Sequence, residues 1–142
     1  MALESRASRV FYRVTPSNIH LIDNSAEILT ASLSWVKVKE IRLVTAIYSE
    51  SRFRFVFSMS APTTTMHGRI YKNGVAIGND NSMTGAYAVY TEDIAVGNWA
   101  VGDTIELWVY GLLANSLYVK DFHLDGDLLL CTTDGFVNTL GA

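Results

Sequence analysis

The residues of this chain best spaced for chemistry are Asp121, His123 and Asp125, at i, i+2 and i+4. On a regular strand that spacing sets all three on one face. Two carboxylates and an imidazole together suit a divalent cation. The same pattern describes a polar, solvated strand face next to the turn Gly126-Asp127, and this is the reading adopted. No metal site and no cofactor is expected. The other reactive side chains are scattered: His20, His67 and His123 fall in separate segments. The single cysteine, Cys131, lies at the end of the apolar run Leu128-Leu129-Leu130, where a thiol packs as a small inert group. A serine nucleophile would need a strained Gly-x-Ser-x-Gly elbow, and phosphate binding a glycine-rich loop; neither is present. No catalytic residue is assigned, and an enzyme is not expected.

Aromatic residues offer a different kind of site. Trp108 and Tyr110 alternate with Ile105, Leu107 and Val109. If the aliphatic residues face a core, the two aromatics stand on the outer face. Exposed strand aromatics suit a subunit interface. They equally suit a platform on which a sugar stacks, to which Trp35 and Trp99 could contribute. The interface is preferred, because further stretches of the chain are apolar and poor in charge.

The elements that must position these residues are strands. Phe53, Phe55, Phe57 and Met59 alternate with Arg52, Arg54, Val56 and Ser58, the period of a half-buried strand. Asn73-Gly74 between two strand-like runs predicts a hairpin with a type I′ turn, which needs positive φ at both central residues. A third run from Tyr87 to Asp93 completes a β-meander over residues 51–93. Val36 and Val38 keep one phase and Ile41 and Leu43 the other, so a β-bulge is expected near Lys39-Glu40. Ile19 to Asp23 is a short strand, and Ser25 to Ser34 fits one helical turn or irregular chain. Ala61-Pro62-Thr63-Thr64-Thr65 reads as a loop, since Pro62 has no donor for a ladder. Short strands separated by turn signals, with no amphipathic helix, predict an all-β fold: a single antiparallel β-sandwich of jelly-roll type. Phe53, Phe55, Phe57, Ile105, Leu107 and Val109 are its expected core.

Composition narrows the function classes. The chain has 142 residues, enough for one domain with a real core. Its net charge of −3 gives no basis for nucleic-acid binding. No apolar run approaches the roughly 18 residues of a membrane span, and the first residues lack the apolar centre of a secretory signal. Synthesis in a cytoplasm is the expectation. Only 18% of residues are charged, below the usual level of about a quarter, which favours surface hidden in an assembly. Three parts are expected: an arm over 1–18, the β-sandwich over 19–127 and a C-terminal strand or tail over 128–142. Arg6, Arg9, Phe11 and Arg13 of the arm are candidate contacts with a neighbouring subunit, as are Leu128, Leu130, Phe136 and Val137 of the tail, with Trp108 and Tyr110. The tail from Leu128 to Leu140 has almost no charge and no proline to blunt an edge strand, and the patch Val10 to Val14, flanked by Arg9 and Arg13, is similar, so one or both termini are expected to add to a neighbour's sheet.

The pieces Lys37-Val38-Lys39-Glu40-Ile41, Gly68 to Gly78, Trp99-x-x-Gly102-Asp103-Thr104-Ile105-Glu106-Leu107-Trp108-Val109 and Val119-Lys120-Asp121-Phe122 occur in that order. Together they resemble the β-sandwich modules of phage and virus tail, fibre and head-decoration proteins. The Lys72-Asn73-Gly74 hairpin and the Gly102 to Leu107 strand are also similar to tumour-necrosis-factor and complement globular-head jelly rolls. The resemblance implies a self-associating structural protein, trimeric or higher, located in a virion or an extracellular assembly, with another virion protein as a further partner. The alternative is a carbohydrate-binding module using exposed aromatics, with a glycan as partner.

Overall fold

The computed structural model describes residues 10–44, 52–95 and 99–132. Their regular structure is entirely β: β1 (Val10–Asn24), β2 (Ile28–Thr30), β3 (Val36–Arg42), β4 (Arg52–Lys72), β5 (Val75–Ala76), β6 (Asn81–Ala95), β7 (Thr104–Gly111) and β8 (Leu117–Thr132). All pairings are antiparallel. The strands form one hydrogen-bonded sheet in the order β1-β8-β4-β7-β3, with β2 beside β8, and β5 and β6 beside β4. The expected antiparallel all-β fold is therefore present, but its layers are parts of one continuous sheet rolled around one core.

Strand β4 makes this possible. Residues 53–60 pair with β8, residues 66–72 pair with β7, and β6 follows β4 along both halves. The stretch Ala61–Thr65 is thus a corner inside a 21-residue strand rather than a loop. The β4–β6 register shifts on both sides of Ala61, and Pro62 points to solvent, where its missing donor costs nothing. On β6 the corner is matched by Gly85, opposite Ala61, with a φ of 112° that a side chain would resist. The bend brings the two halves of β4 face to face. A Cβ on Gly68 would stand 2.4 Å from Met59 Sδ and 3.3 Å from Phe57 Cε2.

Between the halves lies the core: Phe53, Phe55, Phe57, Met59, Met66 and Ile70 of β4, with Ile105, Leu107 and Val109 of β7 and Phe122 and Leu124 of β8. All six residues expected from the alternation are there. Each large side chain buried here contributes about 1.5–3 kcal/mol relative to exposure. The Asn73-Gly74 turn has φ of 50° and 80°, as the hairpin requires. The bulge expected in β3 lies between Lys37 and Lys39.

Other expectations are corrected. The patch Val10 to Val14 and the run Leu128 to Thr132 pair with each other inside the chain, Val10 opposite Thr132 and Val14 opposite Leu128. β1 and β8 run through the boundaries drawn at 18/19 and 127/128, because each supplies the ladder partner the other lacks. A register shift between Val14 and Ile19, around Pro16, is the joint left by a residue without a donor. The segment after Ser25 holds β2 instead of a helical turn.

The two ends of the sheet almost meet. Asn24, at the end of β1, donates its side-chain amide to the Glu40 carbonyl of β3 at 3.1 Å. Lys39, buried because the bulge turns it away from the outer face, donates to Asn24 Oδ1 at 3.2 Å and to the Ala26 carbonyl. Side chains thus tie the seam where a ladder would have closed a barrel.

The corner predicts a specific coupling. Gly68→Ala is expected to destabilise by about 1–3 kcal/mol through overpacking, and Met59→Ala by about 2–5 kcal/mol through the cavity it leaves. The double variant should lose measurably less than the sum in urea unfolding, because the truncated Met59 vacates the space the new methyl needs. Strict additivity would show that the two halves of β4 do not face each other.

Candidate functional site

The three strands β4, β7 and β3 present a common outer face opposite the core. Their registers place His67 opposite Tyr110, Arg69 opposite Trp108 and Tyr71 opposite Glu106. On the other side of β7, Lys37 lies opposite Trp108 and Glu40 opposite Glu106. Trp35, one residue before β3, continues the row beside Tyr110. Alternation on each strand puts these residues on one face while Ile70, Leu107 and Val109 point inward.

The rings form a connected group. His67 stacks on Tyr110 with centroids 4.5 Å apart and planes 3° from parallel. Tyr110 meets Trp35 edge-on at 4.6 Å, Trp35 approaches Tyr71 at 6.2 Å, and Tyr71 stacks on Trp108 at 4.7 Å. All five rings are half-buried, so each still offers surface to solvent. Such contacts add about 0.5–1.5 kcal/mol per pair beyond area burial.

Polar groups hold the rings in place. The Trp108 indole N–H donates to Glu106 Oε1 at 2.8 Å. The same carboxylate, itself buried, accepts from the Gly74 N–H at 3.2 Å and from Thr104 Oγ1 at 2.5 Å. The hairpin turn therefore anchors the side chain that orients Trp108. His67 Nδ1 lies 2.7 Å from Asp80 Oδ1, which fixes the imidazole. Arg69 donates its Nε to the Gly78 carbonyl at 2.7 Å. Lys37 donates to Glu40 at 2.6 Å, and Arg42 to the same carboxylate at 3.3 Å. That bond to Lys37 holds the Glu40 carboxyl below its ordinary range, and the same bond raises Lys37.

At the border of this face, along the free side of β3, lies a cleft of about 310 Å³ lined by Asn24, Ile28, Lys37, Val38, Lys39 and Glu40. Lys37 and Glu40 belong to both features. Burial lowers the pKa of Lys39, partly opposed by the charge of Asp121.

The residues singled out from the sequence divide sharply. Trp108 and Tyr110 occupy the outer face as alternation required, and Trp35 joins them. Trp99 does not: it is 2% exposed, in the core, with Lys72 Nζ 4.4 Å above its ring. Phe11 and Arg13 lie in β1 opposite Cys131 and Leu129, and Leu128 and Leu130 lie in β8 opposite Val14 and Tyr12. Arg6, Arg9, Phe136 and Val137 fall outside the described residues. Asp121, His123 and Asp125 do not converge as a triad. Asp121 has a φ of 57°, which breaks the strand period; His123 Nδ1 contacts its backbone carbonyl at 3.1 Å, and Nε2 lies 3.4 Å from Asp125 Oδ2. Among the described residues no three His, Cys, Asp or Glu side chains come together as a metal site. His67, Arg69 and Tyr71 were missed as site residues. Their i, i+2, i+4 spacing was visible, but not that their strand pairs with β7.

No family model matches this chain, and no curated protein matches it. Among solved structures it is similar to the C-terminal domain of EclA, described as a sugar-binding protein. The identity is 10% and the TM-score 0.44, over 83% of this chain and 86% of that one. A likeness this distant decides neither fold nor ligand.

The buried amine at the seam leads to a pH test. Between its lowered folded-state pKa and the unfolded value of 10.5, Lys39 binds fewer protons folded than unfolded. Stability from this group therefore rises with pH through that window and is lost toward its acid side. Urea midpoints measured from about pH 8 to pH 10.5 should climb more steeply for the parent than for Lys39→Met. Parallel curves would show that Lys39 keeps an ordinary pKa.

Proposed function

We propose that this chain is a carbohydrate-binding module whose ligand lies on the outer face of β4, β7 and β3. The observation that carries the reading is the ring group His67, Tyr110, Trp35, Tyr71 and Trp108, half-exposed, held ring against ring, with Trp108 and His67 further fixed by Glu106 and Asp80. A sugar ring offers an apolar C–H face to aromatic carbon and hydroxyls to flanking polar atoms. Rings already held in place lose little freedom on binding. Charged side chains interleave with the rings: Arg69 beside Trp108, Glu106 beside Tyr71, Lys37 across from Trp108. Lys and Glu are depleted at the centre of a protein–protein interface, so Glu106 and Lys37 among the rings support a polyhydroxylated ligand over a subunit. The reading assigns no reaction to the site.

A second reading, self-assembly as a virion component or filament subunit, is supported by one observation. Leu33, Leu112 and Leu113 are all more than half exposed on loops joined by a hydrogen bond from the Gly111 N–H to the Ser32 carbonyl. The described parts of the two termini pair with each other within the chain, so the strand exchange expected of them would rest on residues outside the described ones.

A glycan array followed by titration calorimetry tests the main reading. The parent chain should bind at least one saccharide class. Trp35→Ala, outside the regular strands, and Trp108→Ala should each weaken that binding by roughly tenfold or more. Binding unchanged in both variants, or absent on the array, together with a mass in solution above that of one chain, would favour the assembly reading.

A further inference from the structure

Resting on that reading, we infer that the saccharide carries a carboxylate and that Arg69 receives it. Each carboxylate of the ring face accepts from a donor within the chain, whereas among its cations Arg69 has no carboxylate partner in the described residues. Asp80 pairs with His67 at 2.7 Å. Glu40 pairs with Lys37 and Arg42, at 2.6 and 3.3 Å. Glu106 accepts from Gly74, Thr104 and Trp108. Glu92, whose carboxylate lies against Gly78, accepts from the Asn79 N–H at 2.8 Å. Arg69 makes no ion pair among the described residues; its Nε goes to a neutral carbonyl, that of Gly78, at 2.7 Å.

That single bond matters. It pins the guanidinium by its inner nitrogen and leaves both Nη groups for a ligand, in the planar arrangement that matches the two oxygens of a carboxylate. The side chain is half-buried in the row between His67 and Tyr71, opposite Trp108. A sugar ring lying on Trp108 and Tyr71 would bring an acidic substituent within reach of this guanidinium. Uronic acids and sialic acids have that chemistry, an apolar C–H face with one carboxylate at the ring.

The test uses matched pairs on the full chain: oligogalacturonate against its carboxyl-reduced form, and sialyllactose against lactose. In at least one pair the carboxylated member should bind about ten- to a hundredfold tighter, the range expected of hydrogen bonds to a charged group. Arg69→Gln, whose amide can still donate to the Gly78 carbonyl, should abolish the preference, so that the acidic and neutral members of the pair bind alike. Arg69→Lys keeps the charge without the planar pair and should retain only part of the preference. Equal binding of both members in each pair, or a preference that survives Arg69→Gln, overturns the inference while the carbohydrate reading stands. A parent chain that binds neither member of either pair nor any glycan on the array overturns both.

Discussion

The structure depends on the corner in β4. A strand with 21 residues is too long to remain flat within one small layer, and the twist of a sheet this size must be relieved somewhere. It is relieved at Ala61–Thr65, with Pro62 outward and Gly85 opposite on β6. From that bend follow the core, in which Phe57 and Met59 face Gly68, and the assignment of β8 to one half of β4 and β7 to the other. The outer ring face follows as well, since it needs the second half of β4 beside β7.

Closure of the sheet is incomplete, and the way it is managed links stability to the outer ring face. β3 would be a bare edge next to β1. The bulge at Lys37–Lys39 turns Lys39 inward to meet Asn24 and the Ala26 carbonyl, while Lys37 and Glu40 remain outside as a surface pair. An inward-pointing charged residue and a bulge are both devices that discourage further strand pairing at an edge. The cost of burying the amine is offset by two acceptors. The same bulge creates the cleft beside the ring face.

The ring face joins rigidity to exposure. Two of its rings are fixed by partners from elsewhere in the chain: Trp108 by the Gly74 turn through Glu106, and His67 by Asp80 of the loop before β6. Such support reduces the ordering a ligand must impose. The exposed leucines near Ser32 and Gly111 lie on the loops that lead into Trp35 and out of Tyr110.

Local pattern alone determined much of this protein. Strict alternation placed Phe53, Phe55, Phe57, Ile105, Leu107 and Val109 inside and Trp108 and Tyr110 outside, because side-chain direction in a strand depends only on parity. Asn73-Gly74 set its turn because few residues tolerate positive φ. The phase slip in β3 announced its bulge to within a residue. Tertiary structure decided what parity cannot: which strands are neighbours. Val10 to Val14 and Leu128 to Thr132 looked like free sticky ends because their partner lies more than a hundred residues away along the chain. The threonine-rich stretch after Pro62 looked like a loop because its place within β4 shows only when Thr65 pairs with Thr84 of β6 and Met66 with Gly111 of β7. Trp99 was indistinguishable by type from Trp108, yet one is buried and the other half-open. Asp121 left the strand period through its left-handed φ, while His123 and Asp125 stayed side by side. His67, Arg69 and Tyr71 became a site only when pairing brought Tyr110, Trp108 and Glu106 alongside, since a binding surface on a sheet is made across strands and sequence order runs along them.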